Sequence, residues 1–66
     1  MPEYQQRVIE ERDELRKKLD RLSVFIEEGG VFATLEPAEQ ARLHLQRMHM
    51  RGYCAVLTER IDRFPA

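Results

Sequence analysis

The stretch "EEGGVFATLEP", residues 27–37, limits what this chain can fold into more than any other feature. Gly29-Gly30 closes a run from Glu3 to Glu28 that contains neither glycine nor proline. Pro37 opens a second run, broken by Gly52 alone, that reaches Asp62 or Arg63. Glycine ends a helix without steric penalty because it can take up the left-handed conformation. Proline suits the first helical turn, where a backbone N–H would have no partner in any case. Glu36 and Glu39 beside it favour the positive end of the helix dipole. The punctuation therefore predicts helices over about 3–28 and 37–63, joined by a loop over about 29–36. Two helices of similar length with so short a connection pack as an antiparallel hairpin, making residues 1–66 a single all-α domain.

Periodicity supports this assignment. Glu, Arg, Lys and Leu dominate the first run, and all are strong helix formers. Val8, Arg12, Leu15, Leu19, Leu22 and Ile26 recur at alternating steps of four and three, a heptad stripe with one charged member. The second run repeats the rhythm with Leu43, Arg47, Met50, Cys54, Leu57, Ile61 and Phe64. It also carries a further set on another face: Ala41, Leu45, Met48, Gly52 and Val56. One partner helix cannot cover both stripes, and the small Ala41, Gly52 and Ala55 would let another helix approach closely. Val31, Phe32 and Leu35 are apolar where a turn should be polar, so they are expected to cap the hairpin end or to enter a neighbouring subunit.

A chain of 66 residues buries little apolar surface by itself and needs added support. Cys54 is the only cysteine, so an internal disulfide is excluded. A zinc site would require clustered Cys and His, and His44 and His49 are five apart rather than the four that would align them on a helix. No metal and no cofactor is expected; a homo-oligomeric bundle is. The lone thiol suits a reducing compartment, and no apolar run is long enough for a signal peptide or membrane span. The expected location is the cytoplasm, with no membrane partner.

Charged residues make up 35% of the chain, yet the net charge is −1. That balance disfavours a DNA or RNA partner, because backbone binding depends on clustered positive charge. Charge on the second helix is nevertheless uneven. Between Glu39 and Glu59 there is no acid, while Arg42, His44, Arg47, His49 and Arg51 all fall there. Arginine presents a planar fork of donors that suits phosphate, and aromatic rings can stack a base. One reading is a small phosphate-bearing ligand; the other is a solvated face paired with acids of the first helix. No nucleophile stands beside a base, and Gly29-Gly30 follows a helix rather than the strand that a phosphate loop requires. The chain reads as a non-enzyme with no catalytic residues.

Several pieces then carry a resemblance. They are "YQQRVIEERDELRKKLDRLSVFI" from Tyr4 to Ile26, then Phe32 and Leu35 with Glu39, then Leu43, Gln46, Met50 and Tyr53, and last Leu57 to Ile61. Together they resemble the helical-hairpin family shared by phage anti-CBASS and anti-Thoeris sponge proteins, with related small proteins in crAss-like and other tailed phages. The resemblance implies a sponge that binds a cyclic oligonucleotide or cyclic ADP-ribose immune messenger without cleaving it, in pockets between subunits, in the host cell cytoplasm. It makes Tyr4, Lys18, Arg47, Arg51, Tyr53 and Arg60 the candidate ligand-binding residues. The alternative is a structural or adaptor hairpin that dimerises into a four-helix bundle and binds another protein.

Overall fold

In the computed structural model, which describes residues 2–65, the chain forms three helices: α1 over Glu3–Glu28, α2 over Gly30–Thr34 and α3 over Pro37–Asp62. The expected all-α antiparallel hairpin is what is observed. Helices α1 and α3 pack side by side into a rod of 48 × 15 × 14 Å. Tyr4 at the start of α1 meets Phe64 just beyond α3, with ring centroids 5.9 Å apart, while Phe25 near the end of α1 faces the connection.

The helix ends follow from the punctuation. Gly29 terminates α1 at φ 75°, the only positive φ among the described residues. Neither long helix begins with a side-chain cap. Backbone carbonyls substitute: Pro2 accepts from the amides of Gln5 and Gln6 at 3.1 and 3.2 Å, and Glu36 accepts from the amide of Gln40 at 3.0 Å. Pro37 occupies the first turn of α3, where its missing donor costs nothing.

The seam is small. Val8, Ile26, Cys54 and Leu57 are its buried apolar members, with Leu57 only 1% exposed. Leu15, Leu19, Leu22, Leu43, Met50 and Ile61 are half-buried around them. All ten lie on the two heptad stripes. Gln5 is also buried, its amide 3.5 Å from the hydroxyl of Tyr4.

The connection holds more structure than a loop. After Gly29 the chain winds through α2, whose end is fastened twice: Thr34 Oγ1 donates to the carbonyl of Val31 at 2.6 Å, and the Leu35 amide donates to that of Phe32 at 3.1 Å. Gln40 Nε2 reaches back from α3 to the same Phe32 carbonyl at 2.9 Å, which ties the turn to the helix that follows. Phe32 and Leu35 are half-buried against their own hairpin, whereas Val31 is 64% exposed. Two of the three apolar turn residues therefore cap the end of the rod, and the third faces solvent.

Candidate ligand-binding site

The residues with the most binding chemistry gather where α2 crosses the end of the hairpin. Arg47 lies on the inward stripe of α3, and packing leaves its side chain only 14% exposed. One guanidinium nitrogen reaches Glu27 Oε1 at 3.3 Å, and another lies 3.4 Å from His44 Nδ1. His44 sits one turn earlier on α3, three residues away, the spacing that places neighbours on one helical face. Its ring meets Phe32 edge-on at 5.4 Å, and Phe32 meets Phe25 edge-on at 6.2 Å. Phe25, Phe32 and His44 thus form an aromatic row beside a cation.

Electrostatically the cluster is half committed. Glu27 lies mostly in solvent, so its pairing with Arg47 is screened and worth at most about 1 kcal/mol. Glu27 and Glu28 also stand at the negative end of α1, where a carboxylate is disfavoured and no basic residue occupies the last turn. Arg47 relieves Glu27 from across the hairpin. The fork of donors on Arg47 is therefore oriented by a carboxylate that an incoming phosphate could replace.

The six candidate residues do not converge within one chain. Arg47 stands at the closed end. Tyr4 lies at the open end, exposed, its ring edge against Phe64. Arg60, one turn before Phe64, belongs to the open end as well, and thirteen residues of helix separate it from Arg47, about 20 Å. Tyr53 and Arg60 are seven apart and so share a face of α3, and both are exposed. Arg51, four residues beyond Arg47, and Lys18, near the middle of α1, point to solvent. A small ligand on one chain cannot span the roughly 20 Å from Arg47 to Arg60 at the open end, and Tyr53 lies between them on the face that it shares with Arg60. Phe25, Phe32 and His44 were missed as a site because their meeting depends on how α2 crosses the hairpin end. The available signal was Phe32 itself, a large ring placed two residues after a pair of glycines.

No enclosed cavity and no cluster of metal-ligating side chains occurs among the described residues. No helix among them is long and apolar enough to cross a membrane.

The chain is thus a helical rod in which an arginine is held beside an aromatic row at one end. The chain belongs to the Sequestin family, whose model matches residues 2–63. It is also 41% identical over 61 residues to an uncharacterized 7.5 kDa protein from the denB-rIIB intergenic region of Enterobacteria phage T4, covering 92% of this chain and 94% of that one. No solved structure matches the chain. The family name denotes sequestration, a binding role rather than catalysis. The resemblance to a phage hairpin family is thereby borne out.

Proposed function

We propose that the protein is a phage-encoded sponge. It binds a cyclic oligonucleotide or cyclic ADP-ribose immune messenger in the host cytoplasm and withholds it, intact, from a defence effector. The observation that carries this reading is membership of the Sequestin family along nearly the whole chain. The ligand chemistry is supported by the cluster at the closed end. Arg47 would meet a phosphate in exchange for Glu27, and a base would stack on a ring of the row Phe25, Phe32 and His44. A stoichiometric binder needs neither nucleophile nor general base. Since the single hairpin encloses no cavity, the ligand is expected to be shut away from water between copies of the chain.

Native mass spectrometry with a panel of cyclic dinucleotides, cyclic trinucleotides and cyclic ADP-ribose isomers tests this directly. One class should be retained at a fixed ratio to the subunits and released chemically unchanged. Arg47→Ala should abolish retention while leaving the helical content intact. Retention of none would sink the sponge reading and favour the protein-binding adaptor. The exposed apolar face of α3 is the feature that speaks for that second reading. Recovery of a cleaved messenger would instead make the protein an enzyme.

A further inference from the structure

The face of α3 turned away from the seam has no partner within the chain. Leu45, Met48 and Val56 are exposed along it, Met48 at 58%, together with Ala41, Gly52 and Ala55. Gly52 is unexplained by the hairpin: nothing lies within 4 Å of where its Cβ would stand, and its backbone is ordinary helix. A glycine inside a helix needs a reason, and close approach of another backbone is the usual one.

The order of side chains along this face is self-complementary in one direction only. Set two copies of α3 antiparallel, so that paired positions sum to 100. Leu45 then falls on Ala55 of the partner subunit, Met48 on Gly52 of the partner subunit, and Ala41 beside Glu59 of the partner subunit. Leu45 and Met48 each meet a small residue, Val56 falls beside His44 of the partner subunit, and the two-fold repeats every pairing. Charge agrees. Arg42 borders the face in the acid-free half of α3, and Glu59 lies on it in the other half. The antiparallel register brings Arg42 within reach of Glu59 of the partner subunit, twice. Within the chain these groups make only exposed pairs one turn away, Arg42 with Glu39 at 2.8 Å and Glu59 with Arg63 at 3.6 Å, which exchange readily. A parallel pairing would instead stack Leu45 on Leu45, Met48 on Met48 and Glu59 on Glu59, with large groups opposed and like charges facing.

We infer that the outer face of α3 is a homodimer surface: a second copy packs on it antiparallel, with Met48 of each chain seated over Gly52 of the other. The inference goes beyond the sponge reading and is tested without ligand, so either can fail alone.

Sedimentation velocity on the full chain, without nucleotide, decides it. The wild type should sediment as a dimer, twice 7.9 kDa. Gly52→Leu fills the hole that receives Met48 and should raise the dimer dissociation constant roughly tenfold or more. It is tolerated by the free hairpin, where that position meets open space, and circular dichroism should show undiminished helix. Arg42→Glu should weaken the dimer, and Arg42→Glu with Glu59→Arg should restore it. A monomeric wild type at about 100 µM chain would overturn the inference. So would a Gly52→Leu dimer of unchanged affinity, or a charge exchange that fails to restore pairing.

Discussion

Arg12 and Arg47 occupy the two positions where the apolar seam carries a charge, and they do so for different reasons. Arg12 is three-quarters or more covered, yet its head finds only its neighbour Asp13 at 3.0 Å. Arg47 is tied to Glu27 and His44, which lie in the aromatic cluster or beside it. A covered arginine whose partner carboxylate lies half or more in solvent commonly contributes no more than an apolar side chain of similar volume would. Arg12→Leu should therefore stabilise the hairpin by about 1 kcal/mol, which in a domain this size raises the melting temperature by roughly 4–8 °C. Thermal unfolding followed at 222 nm measures it, and a lower midpoint would mean Arg12 contributes to packing that its neighbours do not reveal. Arg47→Leu should give a similar gain in stability together with loss of ligand, the trade expected where a residue is kept for function. At the other extreme stands Leu57, at 1% exposure. Leu57→Ala should cost about 2–5 kcal/mol, against a total of only ~5 kcal/mol for a core this small. Cooperative unfolding of the isolated variant should be lost at 37 °C.

Among the elements, the connection is where sequence and structure part company most. Helix limits were legible because they rest on local chemistry, two glycines at one end and a proline at the other. The inward stripes were legible because period 3.5 needs only spacing, and every half-buried or buried leucine of the two long helices falls on them. The five residues of α2 were not, since GVFAT is too short to show a period and begins with a helix-weakening glycine. Contacts made by Phe32 were hidden for the same reason: His44 is twelve residues away, and only the path of α2 brings the rings together. The two glycines themselves now separate. Gly29 has φ 75°, so Gly29→Ala should cost about 1 kcal/mol through the left-handed conformation. Gly30 opens α2 at ordinary negative φ with open space around its Cβ position, so Gly30→Ala should be neutral or stabilise by up to ~1 kcal/mol. Opposite signs in urea unfolding are the expected result; equal losses would show that the turn needs both residues small. Phe32→Ala should lower stability by about 2 kcal/mol, less than the ~3–5 kcal/mol of a fully buried ring, because Phe32 is only half covered.

For the molecule as a whole, the decisive quantity is how little the single chain buries. Four apolar side chains and one glutamine are buried among the described residues, while Leu45, Met48, Val56, Tyr53, Val24 and Val31 remain at the surface of the same rod. A monomer built this way gives up apolar surface to water along a helix whose opposite face already holds the seam. Pairing through α3 would bury that stripe and leave the closed-end cluster of each copy, with Arg47 on the seam side of the helix, free for a separate contact between copies to enclose the ligand. Stability should then depend on concentration, since folding and association become one equilibrium. Raising the wild-type chain about a hundredfold should lift its melting temperature by several degrees, the RT ln term of that linkage being ~2.7 kcal/mol per dimer. Gly52→Leu should respond less to concentration than the wild type, and at the lowest concentration it should melt above the wild type, because leucine is the better helix former by roughly 1 kcal/mol. A crossing of the two melting curves as concentration rises separates a glycine kept for assembly from one that merely weakens the helix; parallel curves would show that Gly52 serves neither packing nor pairing.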